Sequence, residues 1–100
     1  MRDIEEFNKR KHEADLAGMA RVIEIAMASA FQVRQAMTGE KANFAQAYKM
    51  AGELGQALFG LNTWTEDDDE AGAQRAADCR EVHRRVCQWA FETIYNKQEA

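Results

Sequence analysis

The chain has 100 residues, of which 46% are hydrophobic and none is proline, and its formal net charge is −4. This length accommodates one domain with a single core, and the composition is too apolar for a disordered chain. A chain without proline favours long uninterrupted helices over a turn-rich β fold. The sequence contains no recognisable catalytic or cofactor-binding motif, so the predictions depend on the pattern of apolar residues and on the distribution of charge.

The first residues and the two cysteines indicate a cytoplasmic protein. The N-terminus is acidic and lacks the apolar stretch of a signal peptide. The most apolar stretch, residues 16–37, is interrupted by Arg21, Glu24 and Arg34, and such charges are costly at the centre of a bilayer. Cys79 and Cys87 lie about 12 Å apart along a helix, too far for a mutual disulfide. We therefore expect reduced thiols and no membrane segment.

The first of three predicted helices is the longest. It begins at Asp3, whose side chain is placed to form a capping box with Glu6, and it ends at Thr38 and Gly39. Apolar residues recur along its second half at alternating spacings of three and four, which is the pattern of a heptad seam. The seam consists of Leu16, Met19, Ile23, Ala26, Ala30, Val33 and Met37.

Apolar side chains also lie off this seam, so the first helix is apolar around most of its circumference. These residues are Val22, Ile25, Met27 and Phe31. Eighteen of the 46 apolar residues are alanine and four are leucine, and alanines bury little surface each. A core built from one chain would be thin. The sequence therefore predicts a homo-oligomer that associates through the seam.

The second helix is predicted to begin after an N-cap at Asn43, with Gln46 completing a capping box, and to stop at Gly60. Its inner stripe is Phe44, Ala47, Ala51, Leu54 and Leu58. Gly52 and Gly55 lie inside this helix and lower its propensity. They indicate either a close contact with a neighbouring helix or a hinge or ligand approach.

The third helix is predicted to start near Thr63 or Thr65, and its inner face carries Cys79, Val82, His83, Val86 and Ala90. The predicted fold is thus an all-α antiparallel bundle of three helices, over residues 3–38, 43–59 and 65–97, in a single domain of residues 1–100. The first and third helices are long and the second is shorter.

Cys79, His83 and Cys87 share one face of the third helix, but the outer two thiols are too far apart to bind the same metal ion. Core packing is the simpler interpretation, and we expect no metal site. Ser29 is the only serine, and no glycine-rich phosphate loop is present, so neither catalysis nor a cofactor is expected. A row of arginines in the third helix is diluted by acidic residues, which argues against direct nucleic-acid binding.

An acidic run is the most distinctive local feature. Residues 66–70 carry a formal charge of −5, whereas the other 95 residues sum to +1. The run is either a solvated start of the third helix, where the macrodipole favours negative charge, or a docking surface for a basic partner. Trp64 beside it could anchor that interface or close the end of the bundle. The candidate partner-binding residues are Trp64, Glu66, Asp67, Asp68, Asp69 and Glu70.

These observations predict a non-enzymatic protein–protein interaction module that binds a larger protein and inhibits or regulates it. An inhibitor of a host system carried by a phage or other mobile element, such as an anti-defence protein, would fit this description. The alternative is an oligomeric helical binder of a small anionic ligand such as a nucleotide. In that case Lys49, Arg80 or Arg84 would contact phosphate at subunit interfaces, and Tyr48 or Tyr95 could stack on a base.

Overall fold

A computed structural model describes residues 2–61 and 70–95 of the chain. Three α-helices, α1 (Arg2–Thr38), α2 (Phe44–Phe59) and α3 (Glu70–Ala90), contact one another pairwise, and a π-helical turn (Phe91–Tyr95) continues α3. No strand occurs in either described range. The predicted all-α three-helix bundle is confirmed. The expected starts of the third helix, at Thr63 or Thr65, lie outside the described residues, as does its expected end at residue 97.

Local capping signals set the ends of α1 and α2. The Asn43 side chain accepts from the Gln46 backbone N–H at 2.8 Å, and the Gln46 side chain accepts from the Asn43 N–H at 3.2 Å, which confirms the capping box. Gly39 and Gly60 adopt φ of 74° and 64°, left-handed values that favour glycine at helix ends. Asp3 is not the N-cap expected from the sequence, because α1 already includes Arg2 and Asp3 lies in its first turn.

The helices run up, down and up, so that α1 and α3 are parallel and α2 is antiparallel to both. Phe44, at the start of α2, packs edge-on against Phe91 beyond the end of α3, with ring centroids 6.1 Å apart. His12 of α1 lies 2.9 Å from Asp78 in the first half of α3. At about 1.5 Å per residue, α1 is about 55 Å long and spans the whole molecule, whose longest extent is 54 Å.

The core lies between the middle parts of the three helices. From α1 it takes Leu16, Ala20, Ile23, Met27 and Phe31, which are spaced by four, three, four and four residues. Small residues supply most of the rest, as the alanine-rich composition predicts. The remaining buried members of the cluster are Ala47, Ala51, Val82, Val86 and Ala90.

The inner stripe of α2 departs from the sequence prediction at its C-terminal end. Leu58 is 48% exposed, whereas Gly55 is buried. The reason is the turn at Gly60, after which Leu61 folds back and packs its side chain against Gly55, 3.6 Å from the position of a Cβ there. The N–H groups of Gly60 and Leu61 donate to the carbonyls of Gln56 and Gly55. Leu61 thus fills the place that the periodicity assigns to Leu58.

Candidate functional site

The structure describes one residue of the predicted acidic docking surface, Glu70. Trp64, Glu66, Asp67, Asp68 and Asp69 lie outside the described residues. Glu70 is described, and it is the exposed first residue of α3. Its position in the first helical turn is favourable for a negative charge. Whether the run binds a partner stays a prediction.

The predicted seam of α1 divides between the core and the surface. Leu16 and Ile23 are buried in the chain's own core, and Met19 and Ala26 are partly buried. Ala30, Val33 and Met37 are exposed, the last two by 58% and 80%. Only this second group, with the outward parts of Met19 and Ala26, is available to another molecule. Self-association through the seam stays a prediction for those residues.

A broader apolar surface on α1 faces away from α2 and α3, and we call it the outer face. Val22 and Ile25, which lie off the predicted seam, are 47% and 53% exposed on it. Arg21, Glu24 and Arg34 are the charged residues between positions 16 and 38, and helical geometry places them beside this face rather than on it. The outer face consists of Met19, Val22, Ile25, Ala26, Ser29, Ala30, Val33, Ala36 and Met37.

The outer face has a shallow apolar hollow near its C-terminal end. Ser29, Ala30, Val33 and Met37 line it, with Arg34 and Thr38 along one edge. Arg34 turns its guanidinium to Glu40, 2.9 Å away, and the Thr38 hydroxyl donates to the Arg34 carbonyl at 2.8 Å. Because these polar groups bond within the chain, the hollow itself offers mainly apolar surface.

His83 and Cys87 form a side-chain pair between α2 and α3. His83 Nε2 lies 3.2 Å from the Tyr48 carbonyl oxygen, which can only accept, so the ring N–H donates there. Cys87 Sγ lies 3.6 Å from Nδ1, and burial raises the pKa of the thiol. Cys87 is therefore a protonated thiol beside the imidazole of His83, and its burial works against an activated thiolate. Cys79 is buried in the core, as the sequence analysis expected.

No group of three or more histidine, cysteine, aspartate or glutamate side chains placed to hold a metal ion occurs within residues 2–61 and 70–95. The cavity beside His83, of about 330 Å³, has an apolar floor that includes Ile23, Leu61 and Val82. Gly52 borders it, and a Cβ there would meet only His83 Nε2, at 3.9 Å. Gly52 therefore makes no close helix contact, whereas Gly55 is packed against Leu61 and Ile23.

Two arginines of the row on α3, Arg84 and Arg85, pair with the same carboxylate, Glu81. Arg84 donates to both oxygens of Glu81, at 2.8 and 3.0 Å, and Arg85 donates to one of them at 2.9 Å. The hydrogen bond from Arg84 is the largest cause that lowers the pKa of Glu81 to about 2, and the bond from Arg85 adds to it. Lys49 likewise lies 3.9 Å from Glu53. These cations are paired inside the chain, and the Tyr48 ring packs edge-on against His83.

We expect Glu81→Gln to lower the stability by about 0.5–1 kcal/mol at neutral pH, the range of a solvent-exposed ion pair. The lowered pKa makes the ionised carboxylate stabilising above its unfolded value near 4.5, and this contribution is lost as the pH falls through about 2. Thermal unfolding of both chains between pH 7 and pH 2 measures the difference. A gap between them that stays constant across this range would contradict the assignment.

α1 also satisfies the length and composition criteria of a membrane-spanning helix. Over Asp3–Thr38 its most apolar 18-residue window has a mean hydropathy of 1.3, and 28% of that window is buried in the bundle. Core helices of soluble proteins and signal sequences meet the same criteria, so the finding is weak evidence for a membrane.

Comparison with protein-family models, curated proteins and solved structures gives no match to the chain.

Proposed function

We propose that the chain is a non-enzymatic protein–protein interaction module that binds a larger protein partner and thereby inhibits or regulates it. The outer face of α1 is the observation that carries this proposal. Val22, Ile25 and Val33 are each about half exposed on it, and Met37 more so. A contiguous apolar surface of this kind, without a charge on it, is characteristic of interaction sites.

The state of the polar groups supports the non-enzymatic part of the proposal. The thiol of Cys87 is held protonated by burial, and His83 already donates to the Tyr48 carbonyl. Neither group is therefore prepared as a nucleophile or as a general base. The charged side chains Glu81 and Arg84 likewise satisfy each other. What the outer face of α1 presents to another molecule is chiefly apolar area.

Val33→Glu tests the proposal against a matched control, Gln35→Glu. Both substitutions place a glutamate at an exposed position near the end of α1, but Gln35 lies on another side of the helix. We expect affinity capture from a lysate of the source cells to lose its specific partner with Val33→Glu and to keep it with Gln35→Glu, because a buried unpaired charge opposes association. Equal capture by both variants would exclude the outer face as the binding site.

The same capture experiment also tests whether the acidic run, residues 66–70, binds the partner. If it docks a basic partner, reversal of Asp67, Asp68 and Asp69 to lysine should weaken capture, most strongly at low ionic strength. Unchanged capture would leave the outer face as the interaction surface and the run as a solvated helix start.

A further inference from the structure

We propose that the cavity between α2 and α3, beside His83, is a binding site for a free α-amino acid with a large apolar side chain. The inference goes beyond the proposed function, which concerns the outer face of α1, a surface directed away from α2 and α3. Three observations lead to it: a glycine in the wall of the cavity, an apolar floor, and one cation and one carboxylate at the rim.

Gly52 lies in the wall of the cavity, and close packing does not account for it. In the described part of the chain, a Cβ at this position would meet only His83 Nε2, at an ordinary contact distance of 3.9 Å. Gly55 differs, because side-chain atoms of Leu61 and Ile23 lie 3.6 and 3.7 Å from its Cβ position. A glycine lowers helix propensity relative to alanine. At Gly52 the missing side chain opens the backbone of α2 to a molecule in the cavity.

The floor of the cavity is apolar, and all three helices contribute to it. Ile23 of α1, Ala51 of α2 and Val82 of α3 line it, together with Cys79 and Leu61. Its volume of about 330 Å³ lies at the lower end of the range for small-molecule sites, about 300–1,000 Å³. Burial of a hydrocarbon side chain on this floor would supply the main favourable free energy of binding. The space therefore suits a molecule the size of one large apolar amino acid.

One cation and one carboxylate stand at the rim, on the same side of α2 as Gly52. Lys49 and Glu53 both line the cavity, and Lys49 Nζ lies 3.9 Å from Glu53 Oε1. This distance is an ion-pair contact that is too long for a hydrogen bond. The ammonium therefore keeps its donors, and the carboxylate its acceptors, for another molecule.

These two charges define the class of ligand. The ammonium and the carboxylate of a free α-amino acid are attached to one carbon atom, so they lie within a few ångströms of each other, as the charges of Lys49 and Glu53 do. The ligand carboxylate would accept from Lys49 and the ligand ammonium would donate to Glu53, with the side chain on the apolar floor. A simple carboxylic acid or a nucleotide would meet the like charge of Glu53, and a simple amine that of Lys49.

Isothermal titration calorimetry of the purified chain with L-phenylalanine and L-leucine tests the proposal. Two analogues of phenylalanine, 3-phenylpropionate and 2-phenylethylamine, carry the same ring but each lacks one of the two charges. We expect L-phenylalanine to bind and each analogue to bind about tenfold more weakly, the effect of one lost charged hydrogen bond. Binding of neither amino acid, or analogues that bind as tightly as L-phenylalanine, would overturn the proposal.

Gly52→Leu and Ala57→Leu locate the bound molecule. Both substitutions place a leucine on α2, but the side chain at position 52 would extend into the cavity, whereas Ala57 is exposed and does not line it. We expect Gly52→Leu to abolish binding of L-phenylalanine and Ala57→Leu to leave the affinity unchanged, with the helix content of both variants checked by circular dichroism. Binding that persists in a folded Gly52→Leu chain would overturn the proposal.

Substitutions at the rim keep the proposal falsifiable should Gly52→Leu fail to fold, because Lys49 and Glu53 are both exposed. We expect Lys49→Gln to weaken L-phenylalanine about tenfold without weakening 2-phenylethylamine, and Glu53→Gln to weaken it about tenfold without weakening 3-phenylpropionate. Lys41→Gln, an exposed position that does not line the cavity, is the control and should leave the affinity unchanged. Equal affinity for L-phenylalanine in all three variants would overturn the assigned contacts.

Val33→Glu separates this proposal from the proposed function. The substitution lies on the outer face, so it should remove partner capture and leave the affinity for L-phenylalanine unchanged. A chain that captures its partner but binds neither amino acid would overturn the ligand site alone. A chain that binds L-phenylalanine, but whose capture is equal in Val33→Glu and Gln35→Glu, would overturn the outer face alone and support the ligand site.

Discussion

Replacement of Met27 by alanine is expected to lower the free energy of unfolding by about 3 kcal/mol. Met27 is fully buried in α1 and belongs to the core cluster to which α2 and α3 also contribute. Removing its thioether arm takes away apolar burial and leaves a cavity that the surrounding alanines cannot fill. Since a domain of this size is stable by about 5–15 kcal/mol in all, the loss is a large fraction of the total.

Met37→Ala is the matched control, because it removes the same side chain from the same helix at a position that is 80% exposed. We expect a change within about 0.5 kcal/mol for it. Urea denaturation of the three chains, at protein concentrations low enough to keep them monomeric, measures both effects as shifts of the midpoint at constant slope. Equal losses for Met27→Ala and Met37→Ala would show that the core side of α1 is assigned wrongly.

The ends of α1 and α2 could be predicted because their signals are local. Asn43 with Gln46 specifies a capping box from four consecutive residues, and Gly39 and Gly60 provide the left-handed conformation that ends each helix. No tertiary contact is needed for either. The beginning of α1 was predicted at Asp3 by the same kind of signal, but the helix includes Arg2, a difference within the usual variation of helix boundaries.

The side of α1 that faces the core could not be read reliably from the sequence. Two apolar stripes lie on this helix, and the heptad seam joins residues of both: Leu16 and Ile23 from the buried one, Val33 and Met37 from the exposed one. A seam with a period of 3.5 residues drifts across a straight helix that turns every 3.6 residues. By the end of the core the buried residue is Phe31 and not its neighbour Ala30. Only the positions of α2 and α3 settle which stripe is buried.

The sequence predicts an excess of apolar surface on α1, but it does not show which residues form the outer face. Val22 and Ile25 lie off the heptad seam, and the sequence alone does not distinguish them from Met27 and Phe31, which are buried. The turn after Gly60 is a similar case, because Leu61 replaces Leu58 in the core through a contact that no periodicity contains. Sequence patterns thus predict where the helices lie, whereas the position of Leu61 and the buried side of α1 depend on tertiary contacts.

Ala47→Leu tests the conclusion that the core is built on close helix contacts through small side chains. Ala47 is 1% exposed in the core cluster, between α1 and α3. A leucine adds three carbon atoms there, and the neighbouring helices must move apart or adopt strained rotamers to admit them. We expect a loss of about 2–3 kcal/mol, at the upper end for overpacked cores, because Ala47 is almost completely buried.

Ala57→Leu makes the same change at an exposed position of α2 and should alter the stability by no more than about 0.5 kcal/mol. Because alanine and leucine have similar helix propensities, the difference between the two variants measures packing alone. Equal stability of both variants in urea would mean that space remains between the helices at Ala47. A large difference would show that the helices leave no room for a larger side chain at Ala47.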